Sequence, residues 1–569
     1  MHRPSFRLSL LLLITLLTAQ RGLAQYNALW IPDTLSGTTF NLALRDTFAQ
    51  MLPGNQTITA AVNSSKFWGP TLIFNQGDTV HVNVTNHLND STTIHWHGMH
   101  LPAVMDGGPH QVIPPGTVWQ PYWKVTNQAA TYWYHPHLHM MTQEHMTKGL
   151  GGFIIVRDPE EAVLALPRTY GVDDIPVCLT SRRFTTNNAF VTANSSYGDY
   201  LLTNGTMNAE VTLPKQWVRL RILNAEMERA YNLGFSDNRT FYVIGNDGGL
   251  LNAPVARQRM ILAVGERVEI MVDLSNDAMG SSFDMQAFNG GFALGFPGGE
   301  PNSTGQFGSL LNNTTFTVLH INVGATTSDP ITALPSALAN NTYWTANDAT
   351  VNRTVNVTNG NPGGQPFDFD NAPFAFSTIN KTLDLNTTEK WTITNNQVFG
   401  HAFHIHDVEF KIVSRSSGTV ADYESGWKDV LYLPRLESAT FVARFNDYAD
   451  PVHPFMYHCH FAPHEDAGMM GQFVVVDNNS GMNMLTQGGA DFTVHPNPAT
   501  ERLYIDPVDA ASSVYYVTIT TLLGRAVRML PAPQWRGGID VSDLAAGTYL
   551  IQITEGGSKR VTTQRFMKP

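Results

Sequence analysis

The stretch "DTVHVNVTN", Asp78 to Asn86, alternates apolar and polar residues and closes on an asparagine. This period of two, rich in β-branched residues, predicts a half-buried β-strand. The pattern recurs downstream as "QWVRLRILN", ending at Asn224, and as "EKWTITNN", ending at Asn396. Three copies of one strand pattern in a single chain predict three related β domains.

The composition agrees with an all-β chain. Charged residues make up only 14% of the 569 positions, while Gly, Asn and Thr are frequent, which suits short strands and turns better than long solvent-facing helices. A chain of this length exceeds what one hydrophobic core usually organises. The net charge of -12 offers no basic stripe for phosphates, which argues against nucleic acid or an anionic membrane surface as a partner.

The first residues have the layout of a secretory signal. Arg3 and Arg7 precede the apolar run 8–17, and small residues follow just before Gln25. We therefore expect residues 1–24 to form a signal peptide that is removed on export. No later apolar run is long enough to cross a bilayer, so the mature protein is expected to be secreted or held at the cell surface without a membrane span.

Paired histidines are the strongest chemical signal in the chain. His-x-His occurs five times, where about 0.7 would arise by chance from 20 histidines in 569 residues. Residues i and i+2 share one face of a strand, so each pair points two imidazoles the same way and converging pairs could hold several metal ions. An isolated histidine would more often be a packed or surface side chain. The pairs are His95/His97, His135/His137, His137/His139, His404/His406 and His458/His460.

Cys459 lies between His458 and His460, so on a strand its side chain faces away from both imidazoles. One strand would then contact two different metal sites. Two histidines, a thiolate and a weak thioether form a blue-copper site, whereas structural zinc rarely uses Met and would leave eight further histidines unexplained. The residues available on the thiolate face are His401, which is out of phase with the other histidines of "HAFHIH", and His464 and Met469 of "HEDAGM".

Four motifs, "HWHG", "HPH", "HAFHIH" and "HCHFAPHEDAGM", together resemble the copper motifs of the multicopper oxidases, over roughly residues 45–477. These motifs, and the stretch "GWKD" that ends at Asp429, are similar to those of three-domain bacterial laccases and periplasmic cuprous oxidases. The resemblance implies four copper ions, of which one is type 1, one type 2 and two type 3. By matching position it implies His401, Cys459, His464 and Met469 as type 1 ligands, His95 and His404 as type 2 ligands, and His97, His135, His137, His406, His458 and His460 as type 3 ligands.

The C-terminal residues form a separate module. After Asp477 the polar stretch "NNSGMNMLTQGGA" predicts a linker. The elements that follow, "VHPNPATERLYI", "TLLGRAVRM", "IDVSDLAAGTYLIQI" and "TTQRFMKP", resemble the C-terminal sorting domain of the type IX secretion system of Bacteroidetes, which implies the export machinery as a partner. A carbohydrate-binding or spacer β-sandwich is the alternative.

The resemblances complete the predicted organisation. It comprises three cupredoxin-like Greek-key β-barrel or sandwich domains and a small C-terminal β-sandwich. The expected boundaries are a signal peptide at 1–24, cupredoxin-like domains at 25–165, 166–325 and 326–478 with type 1 copper in the third, a linker at 479–490 and the sorting domain at 491–569.

The resemblance implies an oxidoreductase that couples one-electron oxidation of donors to the four-electron reduction of dioxygen to water. Cys459 would connect the two copper sites through its backbone, and Asp106 and Glu465 match positions that deliver protons. Without the resemblance, each carboxylate would be an ordinary exposed side chain. Cuprous oxidases carry a Met-rich insert near the type 1 site, but the segment 339–400 contains no Met. Phenols and aromatic amines are therefore the expected reductants, as for a laccase, with cuprous or ferrous ions as the alternative.

Other functions and residues remain open at this stage. A nitrite reductase builds related copper sites from two domains per subunit, a copper-free scaffold would show gaps among the ligands, and a copper carrier would not require an oxygen-reducing cluster. The stretch "LHMMTQEHM", from Leu138 to Met146, could admit cuprous ions, although packing at a domain interface is the more ordinary role for Met. The remaining thiol, Cys178, is predicted to be free and buried.

Overall fold

The computed structural model describes residues 26–193, 197–303, 305, 307–360, 367–477, 492–507, 514–521, 526–531, 535, 537–555 and 561–569. The predicted signal at 1–24 and the predicted linker at 479–490 lie outside the described residues. The chain divides into two compact units, Met1–Val476 and Asp477–Pro569. Strands dominate both units, which confirms the all-β prediction.

The first β domain consists of two sheets around an apolar core that includes Leu42, Val82 and Trp96. The strands from the start of the described chain to Arg157 are β1 Asn27–Ala28, β2 Thr34–Ser36, β3 Thr39–Ala49, β4 Thr57–Val62, β5 Thr71–Asn75, β6 Thr79–Asn86, β7 His95–His97, β8 Val118–Trp119, β9 Tyr122–Lys124, β10 Thr131–His135 and β11 Gly152–Arg157. The sheet orders are β2-β5-β11-β10-β7 and β4-β3-β6-β8, with β9 beside β6.

The second β domain repeats the two-sheet arrangement around a core that includes Leu220, Ile270 and Ile321. Its strands are β12 Asp174–Arg182, β13 Tyr200–Thr203, β14 Ala209–Pro214, β15 Trp217–Asn224, β16 Tyr231–Phe235, β17 Phe241–Asn246, β18 Gly249–Arg257, β19 Arg259–Leu262, β20 Arg267–Asp273, β21 Ser282–Phe288 and β22 Thr315–Gly324. The sheet orders are β1-β14-β22-β21-β16-β19 and β13-β12-β15-β20-β17-β18. Strand β1 thus falls within the range predicted for the first domain, 25–165, but pairs with β14 of the second.

The third β domain holds a core that includes Trp391, Phe403 and Phe441. Its strands are β23 Val351–Asn359, β24 Phe367–Phe369, β25 Lys381–Asp384, β26 Thr387–Asn395, β27 His401–Ile405, β28 Phe410–Arg415, β29 Val430–Leu433, β30 Ser438–Phe445, β31 Asp450–Cys459 and β32 Met470–Val476. The sheet orders are β24-β23-β26-β30-β28 and β25-β32-β31-β27-β29.

The C-terminal unit has its own core, in which Val517, Ile551 and Phe566 are fully buried. Its described strands are β33 Phe492–His495, β34 Arg502–Pro507, β35 Val514–Thr521, β36 Ala526–Pro531, β37 Ile539–Asp540, β38 Gly547–Glu555 and β39 Val561–Lys568. They form a sheet of order β33-β34-β37 and a sheet of order β36-β35-β38-β39.

Helices are few and short in the part of the chain that the structure describes. The α-helices are α1 Thr142–Lys148, α2 Pro159–Ala162 and α3 Ala462–Asp466, and single 3-10 turns lie at Ala103–Met105 and Asp422–Glu424. Within the described ranges, no helix has the length and apolar character needed to cross a bilayer.

The asparagines that end β6, β15 and β26 explain why the repeated strand pattern closes on this residue. The Oδ1 atoms of Asn86, Asn224 and Asn395 accept the backbone N–H two residues further on, at 2.9, 3.1 and 2.9 Å. Their side-chain amides donate to backbone carbonyls of the following loop. The third copy was predicted to end at Asn396, but the strand ends at the buried Asn395 and Asn396 is exposed.

The prediction of half-buried strands holds for β6, where burial alternates, but is wrong for β15. Every residue of β15 after Trp217 is buried, including Arg219 and Arg221. Arg219 Nε donates to Glu269 at 2.9 Å, and Arg221 Nε donates to Asp174 at 2.7 Å. Ion pairing with hydrogen bonds lets the polar face of the strand lie inside the molecule, which a reading of alternation alone does not reveal.

The histidine-bearing strands of the first and third domains make the same contact with a neighbouring strand. Tyr134 of β10 lies opposite Gly152 of β11, and Tyr457 of β31 lies opposite Gly471 of β32. A Cβ atom at either glycine would overlap the facing tyrosine ring. Each tyrosine directly precedes a histidine pair, so the same tyrosine-over-glycine contact fixes the strand that carries histidines in the first and third domains.

Candidate metal centre

The register of β27 against β31 separates two faces at Cys459. Phe403 is opposite Cys459, and His404 is opposite His458. Because successive side chains point to opposite faces, the thiol turns away from the imidazole of His458. Cys459 Sγ lies 3.7 Å from His401 Nδ1 and 3.6 Å from His464 Nδ1.

This sulfur site, formed by His401, Cys459 and His464, fits a single metal ion. The three donor atoms are buried and close enough together to bind one ion. Nitrogen and sulfur ligands at about 2.0 and 2.3 Å from an ion, at a trigonal angle, lie about 3.7 Å apart, which matches the spacing observed here. The fully buried Met469 accepts the N–H of Cys459 at 3.1 Å through its carbonyl, and its own N–H donates to the carbonyl of His464 at 2.9 Å. Burial raises the pKa of the Cys459 thiol to about 12, and a bound cation would have to replace that proton.

Eight histidines converge on the other face of β31, and all are buried. Short nitrogen contacts divide six of them into two groups. His97 Nδ1 lies 3.4 Å from His135 Nε2 and 3.1 Å from His460 Nε2. The second group consists of His137, His406 and His458, whose donor atoms are close enough to bind one ion. His95 and His404 lie between the groups, with ring centroids 6.0 Å apart.

The outer nitrogens of these histidines are anchored so that the inner nitrogens face the cluster. His95 Nδ1 and His404 Nδ1 donate to the backbone carbonyls of Asp106 and Asp429, at 2.9 and 2.8 Å. His406 Nδ1 donates to Asp106 Oδ2 at 2.7 Å. Among the described residues, the Nε2 atoms of these three histidines have no hydrogen-bond partner. A buried imidazole with one anchored N–H and one free lone pair has the arrangement of a metal ligand.

The electrostatics favour the neutral imidazole that binds metals. Burial, followed by the neighbouring histidines, lowers the pKa of His137 and His404 well below the usual range. Burial also lowers the pKa of His458 to about 3. Uncharged imidazoles packed against one another expose lone pairs that can bind metal.

The two carboxyl groups predicted to deliver protons, Asp106 and Glu465, both contact the cluster and are buried, contrary to the exposed setting that the sequence alone would give them. Asp106 contacts His95 and His406. Glu465 is 1% exposed, with Oε1 3.1 Å from His137 Nδ1 and Oε2 3.4 Å from His458 Nδ1. Burial raises the pKa of Glu465 well above the usual value, which favours its protonated form.

Three residues near the centre were not singled out from the sequence. Thr142 Oγ1 donates to Glu465 Oε1 at 2.6 Å, and Asp429 Oδ1 lies 3.1 Å from His97 Nε2. Arg267, from the second domain, contacts Asp429. Asp429 belongs to the "GWKD" stretch that contributes to the family resemblance, and this is the one signal that could have identified it.

The remaining sequence candidates lie away from the ligand sets. His145 hydrogen-bonds to Thr92 Oγ1 at 3.1 Å, and Met146 packs in an apolar cluster. Met140 is 72% exposed. Cys178 is a free, buried thiol, as predicted.

Comparison with known families gives matches along most of the chain. Residues 45–161 and 346–479 match multicopper oxidase models, and residues 493–568 match a secretion system C-terminal sorting domain. The multicopper oxidase mco of Staphylococcus haemolyticus is 31% identical over 72% of this chain and 82% of its own length. The cell division protein FtsP of Xenorhabdus nematophila is 32% identical over 72% of this chain and 83% of its own length.

Solved structures resemble the chain over a similar span. A laccase-like multicopper oxidase, CueO, from Ochrobactrum sp. is 28% identical with a TM-score of 0.70, and the match covers 79% of this chain and 100% of that chain. A laccase from Pediococcus acidilactici is 29% identical with a TM-score of 0.70 and coverage of 80% and 95%. The fold, the copper-type donor sets and these relatives lead to one conclusion: the chain belongs to the multicopper oxidase family and carries a C-terminal domain of the type IX sorting kind.

Proposed function

We propose that the protein is a laccase-like oxidase, which couples one-electron oxidation of phenols and aromatic amines to four-electron reduction of dioxygen to water. The observation that carries this proposal is the aromatic surrounding of the sulfur site. The Phe367 ring lies 4.7 Å from the His401 ring and 4.9 Å from the His464 ring. Phe399 lies 5.9 and 6.2 Å from the same rings.

Apolar side chains continue outward from these rings. Leu294, Val398 and Leu436 are 66%, 64% and 61% exposed. They are close in space, because Gly400 donates to the carbonyl of Gly295 and Leu436 donates to the carbonyl of Gln397. An exposed apolar rim beside a redox site suits an apolar aromatic donor better than a hydrated metal ion. The relative from Ochrobactrum is described as having oxidase activity towards lignin model compounds, which agrees with this substrate class.

The proposed copper arrangement follows the donor sets. His401, Cys459, His464 and Met469 would hold the type 1 ion, His95 and His404 the type 2 ion, and the other six cluster histidines the type 3 pair. Copper bound there would accept electrons singly from a donor and pass four of them to dioxygen. The chain supplies a short covalent connection between the sites, since Cys459 is bonded through its backbone to His458 and His460.

Asp106 and Glu465 are proposed to hold protons at the cluster, because reduction of dioxygen to water consumes four protons. Each carboxyl lies within hydrogen-bonding reach of cluster histidines and is shielded from solvent. Thr142 orients Glu465 by donating to its Oε1 atom. We expect Asp106→Asn to keep the blue colour and slow oxygen uptake.

Oxygen uptake by the copper-loaded protein, measured in parallel with a phenol, cuprous ion and ferrous ion, tests the substrate class. We expect the phenol to be oxidised, and expect Val398→Asn and Leu436→Asn to raise its KM several-fold without changing the rate with ferrous ion. Val163→Asn is the matched control, because Val163 is an apolar side chain that is 83% exposed but does not belong to this rim. Oxidation of metal ions alone would refute the preferred substrate class.

Cuprous or ferrous ion is the second candidate donor. It is favoured by the exposed thioether of Met140, which lies on the loop leading into α1. That helix contacts α3, because the N–H groups of Thr142 and Gln143 donate to Asp466 at 2.9 and 2.8 Å. A loop with an exposed Met thus leads into a helix that packs beside the helix bearing His464. The same substrate panel separates this candidate from the laccase-like one.

A non-catalytic copper-binding scaffold is a third function to test, since relatives of similar identity include cell division proteins. Four copper ions per chain with a blue absorption band support the oxidase, whereas one ion or none supports a scaffold or carrier. The sorting domain supports a secreted or cell-surface location, with the export machinery as a partner.

A further inference from the structure

His97 is oriented differently from the anchored histidines around it. The neighbouring His95, His404 and His406 hold their Nδ1 atoms outward. In His97 the outward atom is Nε2, which lies 3.1 Å from Asp429 Oδ1, while Nδ1 faces the Nε2 atom of His460 at 3.1 Å. His97 can therefore offer a lone pair to the cluster only if its proton is on Nε2.

Asp429 is held as an acceptor by an arginine from the middle domain. Arg267 donates from Nη1 to Oδ1 and from Nη2 to Oδ2, each at 2.6 Å. Two parallel donors from a guanidinium are the arrangement of an ionised carboxylate, which has no proton of its own to give. The neutral His97 must then be the donor in its contact with Asp429, and this fixes the proton on Nε2.

Arg267 is itself fixed by backbone carbonyls from two domains. Its Nε donates to Thr131 at 3.1 Å, and its terminal nitrogens donate to Gly265 at 3.0 Å and to Asp247 at 2.8 Å. Both Arg267 and Asp429 are fully buried. A guanidinium with this many fixed acceptors cannot turn without leaving buried polar groups unpaired.

The residue before Asp429 strengthens the connection to the middle domain. Lys428 Nζ contacts Glu266 at 2.7 Å and Asp247 at 2.9 Å. The carbonyl of Asp429 also accepts the Nδ1–H of His404 at 2.8 Å. One residue therefore sets His97 through its side chain and His404 through its backbone, and the second domain, which contributes no predicted ligand, holds that residue in place.

Asp429 is close enough to His97 and His404 for the three to be considered as a metal site. Its contacts argue for another role, because both carboxylate oxygens already accept from Arg267 and a metal cation there would lie beside the guanidinium charge. The space is also filled: a Cβ at Gly98, where φ is 82°, would lie 2.5 Å from Asp429 Oδ2 and 2.8 Å from Arg267 Nη2. The glycine of "HWHG" thus leaves room for this ion pair.

We infer that Asp429 and Arg267 are positioning residues that select the tautomer of His97, so that His97 binds the copper cluster through Nδ1. The inference rests on the proposed function for the presence of copper, but the tautomer is a property of the copper-free chain. Outer hydrogen-bond partners of metal-binding histidines typically change metal affinity about 10- to 100-fold when they are removed.

The tautomer can be measured directly in copper-free wild-type protein labelled with nitrogen-15 histidine. The His97 signals are assigned by their loss in His97→Gln, and the nitrogen shifts report which ring atom is protonated. We expect the proton on Nε2. A proton on Nδ1 would overturn the inference, whatever the copper content of the protein.

Asp429→Asn tests the consequence for the cluster, because the amide can no longer accept two guanidinium donors and the His97 N–H together. We expect the affinity of the cluster for copper to fall about 10- to 100-fold. The magnetic coupling of the type 3 pair should also weaken, giving a new electron paramagnetic resonance signal, while the blue absorption persists. Unchanged affinity and coupling in folded Asp429→Asn would contradict the inference.

Asp174→Asn is the matched control, since Asp174 accepts from Arg221 at 2.7 and 3.0 Å in a similar buried pair. It should lower stability without changing the cluster signals. Equal loss of coupling in both variants would show a general structural effect and overturn the positioning role. Copper content and the substrate panel on wild type test the proposed function separately, so the two can fail independently.

Discussion

Cys459 separates two chemical environments at a single residue. Its sulfur lies close to His401 and His464, whereas the adjacent His458 and His460 point to the opposite face of the strand. Both environments are buried, so the chemistry at one site can differ from that at the other across one peptide unit.

Cys459→Ser is expected to remove the blue colour and turnover, because a hydroxyl cannot replace the soft thiolate ligand. The copper content should fall from four ions to three per chain, since the cluster histidines are unchanged. Metal analysis and visible absorption measure both effects. Cys178→Ala is the matched control and should keep colour and activity, and a blue, active Cys459→Ser protein would contradict the assignment.

The ligand residues could be read from the sequence because a strand fixes the side on which each residue lies, and short motifs preserve that parity. The positioning residues could not be identified from the sequence in this way. His97 and Asp429 are 332 positions apart, and Thr142 and Glu465 are 323 positions apart, so their contacts exist only after the domains assemble. For the same reason, burial of Asp106 and Glu465 was not predicted.

At the level of elements, the repeated strands β6, β15 and β26 were predictable in position, because alternation and the closing asparagine are local signals. Their burial was less predictable. Strand β15 carries two arginines that look solvent-facing in the sequence but are paired inside the molecule. Charge pairing between neighbouring strands has no signature in a single strand.

Asn395→Ala is expected to lower the free energy of unfolding by about 2–4 kcal/mol, since a buried side chain loses several hydrogen bonds. One of its acceptors is the carbonyl of Phe399, two residues before His401, so the blue absorption should also shift or weaken. Chemical denaturation and visible spectra check these effects. Asn396→Ala, at the exposed neighbouring position, should change stability by less than about 0.5 kcal/mol. Equal effects at the two positions would contradict the structural role of Asn395.

The stability of the first unit depends on pH through buried histidines that are neutral in the folded chain. For His458 and His464, burial lowers the pKa to about 3 in the folded chain. Their unfolded pKa is about 6.5, so below that pH the unfolded chain binds more protons than the folded chain. Stability from these groups is therefore present above pH 6.5 and is lost as the pH falls towards 3.

The copper-free protein should become less stable between pH 7.5 and pH 5.5, by up to about 1.4 kcal/mol per pH unit for each such histidine. Groups whose pKa values are raised oppose the trend, among them His100, Glu266, Glu409, Glu465 and Asp466. Eleven described histidines with lowered pKa values outnumber these five groups. Denaturant titrations at fixed temperature measure the slope. A stability that is flat or rises on acidification would contradict the prediction.

The division into two units leads to a separate expectation for the sorting domain. The first unit, Met1–Val476, contains every predicted ligand, and the second has its own apolar core. A chain that stops at Asp477 should bind four copper ions and oxidise the same donors as the full chain, measured by metal analysis and oxygen uptake. Loss of copper on this truncation would show that the sorting domain contributes to the metal centre.

The tyrosine-over-glycine contact also shows which part of the strand is common to the two domains. Tyr134 with Gly152 and Tyr457 with Gly471 preserve one structural device in two domains, although Pro136 stands where the other copy has Cys459. The contact recurs whether or not a thiol stands between the two histidines of the pair. The strand frame is therefore independent of the sulfur donor: it presents paired histidines in both domains, while the thiol is added in one of them.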